Sequence, residues 1–395
     1  MAMLLHAAAA LPFMGQTEYN LSRVSTLVLT SETLRDLPAL RVGVSLQLDC
    51  CSSQSARGRS MWESFTLLAN YVNEVRGGIF VDGQQHRIEL IAIGDYSEGS
   101  ITESNVELLL SRGVRLFLGP FGSGQSAGAA AAVHSAPDAI LMATAASSTA
   151  VFAGRARVFG VFSPGSSYFT TVVEKFAATD RACAILIEDF GPALSWGAGA
   201  KVDIESRGMN LLSEVTVPRF ASETELAAVV KKWGQEFAAA DASPLILLAT
   251  YEIQTCITLA REAARQRLPR LLMVFTNCVD QAAFANEPTD TRAYVAGVAP
   301  WNPMVERSAA FDPWTDATAA EYAETFQAYT GNTPDYVDAA AYGGFGSLLW
   351  AVRTTGTSDA GARHRKLHSH QKKMHSRRYE HRTLRTTAPA RRAPT

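Results

Sequence analysis

The sequence predicts an α/β protein of two similar lobes, each a parallel β-sheet covered by helices. Two observations carry that reading. From Arg41 to Val352, short β-branched or aliphatic runs alternate with amphipathic segments of about 12 to 18 residues. After Ser163-Pro164-Gly165 the same alternation restarts. Repeated β-α-β units imply parallel strands with helices on both faces, because a parallel crossover must leave the sheet and return. A length of 395 residues holds two such lobes, and 47% hydrophobic against 19% charged residues excludes disorder of the whole chain.

The first lobe opens on a strand at Arg41–Leu48 (RVGVSLQL). Gly58–Glu74 sets Met61, Phe65, Leu68, Ala69 and Val72 on one helical face. Arg87–Ile93 is the second strand, and helix Thr102–Ser111 turns Val106, Leu109 and Leu110 inward. Val114–Leu118 is the third strand and Ala139–Met142 a very short fourth. In the second lobe, strands are expected at Arg181–Ile187, Asn210–Val217, Pro244–Ala249 and Leu271–Phe275. Helices at Ser167–Ala178, Ala193–Ser206, Glu223–Phe237 and Ile253–Arg267 separate or flank them. Two further helices, Thr318–Tyr329 and Val337–Val352, close the regular pattern.

The two ends read differently from the body. Met1–Gly15 is an apolar run without a leading Lys or Arg, so a cleaved secretory signal is an open reading, and 1–40 is taken as leader and linker. Asn20-Leu21-Ser22 would accept a glycan in a secreted chain. At about Thr354 the pattern collapses, and residues 363–395 carry 11 Lys/Arg against one acid. That composition cannot bury a core, so 354–395 is expected to be a disordered basic tail. It is either a polybasic arm for nucleic acid or anionic lipid, or a non-native terminus; the second reading is preferred. The formal net charge of −2 thus averages a basic tail with a body of 25 basic and 37 acidic residues. An acidic body argues against nucleic-acid binding by the folded part.

Five cysteines are too few for a disulfide scaffold at this length, and none has CxxC spacing. Cys183 and Cys278 lie in apolar runs and read as small buried hydrophobes, whereas Cys50 and Cys51 offer one disulfide arm. No metal cluster is visible, no cofactor is implied, and Asp95 and Asp280 are isolated acids.

The chemistry-bearing segment is Gly119-Pro120-Phe121-Gly122-Ser123-Gly124-Gln125-Ser126, which follows the third strand and opens a helix. As Gly122-x-Gly124-x-x-x-Gly128 it is a weak dinucleotide loop, since such loops follow the first strand of their domain. As Gly124-Gln125-Ser126-Ala127-Gly128 it matches a nucleophile elbow, but the body's histidines are His6, His86 and His134, none placed as a triad base. As a carboxylate clamp, the Ser123 hydroxyl and nearby N–H groups would hold the acid end of a small ligand. Thr144-Ala145-Ala146-Ser147-Ser148-Thr149 would join it, because adjacent parallel strands bring both loops to one carboxyl edge. The plain alternative is that these Ser and Thr residues only cap helices.

Taken together, these segments resemble the type 1 periplasmic-binding-protein family, in particular its leucine-binding-protein branch. The opening strand leads through Asn73, Gly77-Gly78-Ile79 and Gly83 to a strand closing on Asp95. Leu118–Ser126 is similar to the branch's Gly-Pro-x-x-Ser loop, and Ala143–Thr149 to its second ligand loop. Glu188-Asp189-Phe190-Gly191 resembles the aromatic-Gly pair of the second lobe. Phe326, Tyr329, Gly331, Pro334, Ala341 and Tyr342 resemble the late pattern. The likeness is collinear over about 41–352.

The resemblance implies two Rossmann-like lobes, 41–163 with 300–353 and 164–299, joined by a hinge and closing on a small solute without enzymatic chemistry. It implies that Ser123, Ala145 and Ser147 hold an amino-acid carboxylate, that Phe190 closes over the ligand and that Tyr251 makes a second-lobe contact. Asp280 is the acid available for an ammonium, and amides and other carboxylates stay open as ligands. A third crossover should follow Val352, and the basic tail stands there instead, so the fold is expected to be C-terminally truncated. The implied partner is a membrane transporter or the signalling part of a receptor, and the implied place is secreted, periplasmic or extracellular. An α/β enzyme of the hydrolase or dehydrogenase type is the competing class.

Overall fold

A computed structural model of the chain describes residues 24–26, 32–48, 53–179, 181–268, 271–276, 278–279, 282–299, 301, 303, 314–315, 317–357 and 361–369. The first sheet contains β1 (Val24–Thr26), β2 (Ala39–Leu46), β3 (Ile79–Val81), β4 (Gln84–Gly94), β5 (Leu116–Leu118), β6 (Ile140–Ala143) and β7 (Val158–Gly160). Its order is β1-β4-β2-β5-β6-β7, with β3 beside β4. The pairs β4–β2, β2–β5, β5–β6 and β6–β7 are parallel.

Strand alternation divides this sheet's side chains between two cores, as expected for parallel strands covered on both faces. Val42, Val44, Leu46, Leu116 and Leu118 face Met61 and Phe65 of α1 (Ser53–Asn70). Phe117, Leu141 and Ala143 face the other way, onto Val106 and Leu109 of α2 (Gly99–Ser111) and Ala129 and Val133 of α3 (Ser123–His134). Helices α2 and α3 touch backbone to backbone. A Cβ on Gly128 would stand 2.1 Å from the Gly99 carbonyl oxygen, so glycine there serves helix packing. That is the physical role of the third glycine in the dinucleotide-like spacing.

The second sheet has the order β12-β11-β10-β8-β9 and is parallel throughout. Its strands are β8 (Arg181–Asp189), β9 (Leu211–Pro218), β10 (Ser243–Ala249), β11 (Leu272–Phe275) and β12 (Val295–Gly297). Helices α4 (Thr170–Phe176) and α5 (Gly191–Ser206) cover one face over Cys183, Ile185, Leu245 and Leu247. Helices α6 (Glu223–Ala239) and α7 (Ile253–Gln266) cover the other over Ala184, Leu186, Ile246 and Leu248. Ser222 and Glu225 form a reciprocal capping box that starts α6.

Counted from its own first parallel strand, each lobe runs 2-1-3-4-5. In lobe one the order is β4-β2-β5-β6-β7 and in lobe two β9-β8-β10-β11-β12. The chain therefore leaves in opposite directions from β2 and from β8, and each lobe has a crevice at the carboxyl edge beside its first strand. Late in the chain, α8 (Ala319–Thr330) and α9 (Tyr336–Thr355) return to the first lobe, where Phe326, Phe345 and Leu348 enter its core.

Several expectations need correction. Residues 24–26, read as leader or linker, pair antiparallel with β4 from Val24↔Ile93 to Thr26↔Ile91. Strands β3 and β7 were not anticipated; with three residues each, they carry no period of their own. The ordered chain also does not stop at Thr354. Helix α9 ends at Thr355 with Gly356 left-handed at φ 60°, and 361–369 forms a further helix, α10. Its Leu367 is 2% exposed within the first-lobe core, and His364 lies 5.8 Å from the Phe159 ring. One leucine cannot build a core but is enough to dock a turn on an existing one. Residues 370–395 and Cys50 and Cys51 lie outside the described residues. Cys278, expected as a lone buried thiol, is disulfide-bonded to Cys256 with their Cα atoms 6.3 Å apart, whereas Cys183 is a buried free thiol.

Candidate functional site

At the carboxyl edge of the first lobe, the loops after β5 and β6 are bound to each other. The Gly119 N–H donates to the Met142 carbonyl (3.1 Å) and the Gly122 N–H to that of Ala145 (3.2 Å). Gly122, at φ 93°, lets the chain turn sharply into α3. Ser123 follows, and its Oγ accepts the backbone N–H groups of Ser147 (3.3 Å) and Ser148 (3.2 Å). Both oxygen lone pairs are thus occupied, which leaves the Ser123 proton as its donor to a further acceptor. Ser123, Ala145 and Ser147 stand together here. Ser126 does not join them: it is 0% exposed, so its hydroxyl is not presented as a nucleophile elbow requires.

Asp95, an isolated acid in the sequence, is 1% exposed and accepts the Ser97 N–H (3.0 Å). It braces the start of α2.

At the carboxyl edge of the second lobe, Phe190 follows β8 and Tyr251 follows β10, the two strands that flank the crevice. Their rings lie 4.8 Å apart. Tyr251 is continued inward by Trp196 (6.5 Å) and Trp196 by Tyr168 (5.4 Å, 10° between planes). Beneath them Glu188, fully buried, accepts the N–H of Tyr251 and that of Glu252 (3.0 Å). This carboxylate anchors the turn that leads from β10 into α7 and so fixes where Tyr251 stands. Burial raises its pKa even so, opposed by the Thr255 hydrogen bond and the two backbone donors.

Two arginines that sequence reasoning missed complete the site. Arg219, just after β9, has its guanidinium carbon 4.1 Å from the Phe190 ring and 5.5 Å from that of Tyr251, and pairs with Glu252 at 2.7 Å. Arg57, in α1, pairs with Asp335 and lies 5.9 Å from the Tyr336 ring. Tyr336 in turn packs on Phe162 at 5.5 Å. No spacing rule points to either arginine, because each is brought to the site by a different strand-to-helix connection.

The lobes meet edge to edge. The hydroxyls of Ser147 and Tyr168 are hydrogen-bonded, and the Gly165 N–H donates to the Ser147 carbonyl at 2.8 Å. Arg57 of the first lobe acts electrostatically on Tyr251 of the second. Burial raises the pKa of Tyr168 and of Tyr251, so both stay neutral hydrogen-bond donors at physiological pH. Asp280 lies outside the described residues. Among the described residues, no group of three His, Cys, Asp or Glu could hold a metal ion, and no helix is long and apolar enough to cross a membrane.

Two lobes of one strand order, in contact where the Ser147 loop of the first meets Gly165 and Tyr168 of the second, define a bilobal solute-binding protein. A family model described as periplasmic binding protein matches residues 40–384, and the chain belongs to that family, whose members bind small solutes without transforming them. Solved structures repeat the fold. A branched-chain amino acid transporter substrate-binding protein, LivJ of Streptococcus pneumoniae in complex with isoleucine, is 18% identical with a TM-score of 0.63, over 83% of this chain and 87% of that one. A solute-binding protein of an ABC transporter from Rhodopseudomonas palustris, in complex with 3,4-dihydroxybenzoic acid, is 16% identical with a TM-score of 0.61, over 82% and 84%. The leucine-binding protein LivK of Thermotoga maritima is 14% identical with a TM-score of 0.61, over 83% and 88%. A search of curated protein sequences returns no match.

Proposed function

We propose that this chain captures a small carboxylate-bearing solute between its lobes and delivers it to an ABC-type membrane transporter on the outer side of a membrane. The observation that carries this is the contact of Ser147, whose N–H binds Ser123, with Gly165 and Tyr168, from which Trp196 leads to the Tyr251–Phe190 rings of the second lobe. Ser123 donates its proton to the carboxylate, helped by the N-terminus of α3, where the first turn holds no acid. Ala145 and Ser147 shape the same wall, and Phe190 and Tyr251 cover the solute from the second lobe. Asp280 is kept as a candidate contact for a positive group on the solute. Contacts made to both lobes at once supply the differential affinity that favours the closed state.

The test is a thermal-shift screen of the full chain against amino acids, amides and small carboxylates, because a ligand bound only by the native state raises the melting temperature. Ser123→Ala should cost about 1.5–3 kcal/mol of binding to a hit that bears a carboxylate. Unchanged affinity would contradict the clamp.

A further inference from the structure

Outside the cleft, α10 carries two metal-ligating side chains side by side. His364 and His368 stand four residues apart, which puts them on one face of the helix, one turn from each other. Their rings lie 6.0 Å apart with 17° between planes. The pair is held to the first lobe. His364 packs 5.8 Å from the Phe159 ring, and Leu367, between the two histidines in sequence, is 2% exposed in the first-lobe core. His368 is exposed to solvent. Two cations of the same helix are placed elsewhere: Arg363 is buried, and Lys366 lies over the Trp350 ring at 4.9 Å.

Imidazole nitrogen suits Zn²⁺, Ni²⁺ and Cu²⁺, whereas Ca²⁺ and Mg²⁺ seek oxygen. Residues 361–369 hold no acid, so this helix offers an oxygen-seeking ion no carboxylate. Two imidazoles one helical turn apart can take a single ion, as in helices with His-x-x-x-His spacing that bind zinc. We propose that His364 and His368 chelate one transition-metal ion of the Zn²⁺, Ni²⁺ or Cu²⁺ class, and that the ion strengthens the docking of α10 on the first lobe. Water fills the remaining positions on the exposed side of His368. The proposal does not depend on which solute the cleft takes.

The test is isothermal titration of the untagged full chain with Zn²⁺ and with Ca²⁺. Wild type, His364→Ala, His368→Ala and the triple variant His370→Ala/His375→Ala/His381→Ala are compared; the last three histidines lie outside the described residues. Melting temperatures without metal check folding, and His368, being exposed, is the substitution least able to disturb it. The wild type should bind Zn²⁺ and not Ca²⁺. Each single substitution should weaken Zn²⁺ about tenfold or more, because the second imidazole of a chelating pair acts at high effective concentration. The triple variant should still bind. Saturating Zn²⁺ should raise the melting temperature of the wild type more than that of His368→Ala. Zn²⁺ affinity unchanged in His368→Ala, or abolished in the triple variant, would place the ion on other histidines and overturn the site. So would Ca²⁺ bound as tightly as Zn²⁺, or no Zn²⁺ binding at all. Equal melting shifts in wild type and His368→Ala would overturn the coupling to α10.

Discussion

Ser147 of the first lobe and Tyr168 of the second are joined hydroxyl to hydroxyl, three residues from the Gly165 N–H that donates to the Ser147 carbonyl at 2.8 Å. The entry to the second lobe is thereby fastened to a loop of the candidate site. Tyr168→Phe and Ser147→Ala should each cost about 1 kcal/mol of stability. The double variant should cost less than the sum, because both singles break the same bond. Chemical denaturation of the four proteins measures this coupling, and strictly additive losses would show that the two hydroxyls act separately.

The Cys256–Cys278 bond closes a loop of 22 residues in sequence between α7 and the turn after β11. Constraining the unfolded chain over that length is worth about 3 kcal/mol in the chain-entropy account. Both cysteines are 1% exposed or less, so substitution tests this better than added reductant. The Cys256→Ala/Cys278→Ala protein should unfold at a clearly lower denaturant concentration. Equal midpoints would contradict a stabilising role for the cross-link.

Asp338 lies in the first-lobe core, 3% exposed, where it completes the capping box of α9 and accepts a hydrogen bond from Ser60. Burial pushes its pKa up to about 6, against the lowering effects of Ser60 and Arg57. The native state therefore holds this proton more tightly than the unfolded chain does. Its contribution to stability is greatest below the ordinary carboxylate value, falls as pH rises to about 6, and is constant above. The total is at most about 3 kcal/mol. Glu63, half-buried nearby, is raised too, by burial and then by Asp338. Unfolding free energy measured from pH 3.5 to 7 should lose part of this fall in Asp338→Asn, and parallel curves would contradict the assignment.

Leu367 carries the docking of α10 on the first lobe, with Lys366 4.9 Å from the Trp350 ring beside it. Leu367→Ala should cost about 2–5 kcal/mol, as for other buried leucines. A loss below about 0.5 kcal/mol, read by denaturation, would mean that the segment only rests on the surface.

The repeated lobes were readable from sequence because each fully buried strand, such as Leu245–Leu248, is a continuous aliphatic run bounded by turns. Three-residue strands such as Val158–Gly160 and Ile79–Val81 were not, since their order comes from neighbours already in place. The carboxylate-clamp loops were legible through Gly122 and Ser123, whose backbone demands are local. Arg57, Arg219, Trp196 and Tyr168 were not, because their positions at the cleft depend on tertiary packing rather than on spacing. The Cys256–Cys278 pairing was hidden for the same reason: Cys278 sits in a run that reads as plain core. Glu188 was seen only as part of a motif, and its work as a buried anchor for the turn after β10 becomes visible once β8 and β10 are neighbours.

Small-angle X-ray scattering bears most directly on closure of two lobes around an unaltered solute. Profiles are recorded for wild type and Ser123→Ala, with and without the compound that raises the melting temperature most. The wild type should contract on saturation, the variant should not contract at the same ligand concentration, and the compound should be recovered unchanged. A wild-type profile identical with and without saturating ligand, or conversion of the compound, would contradict the account.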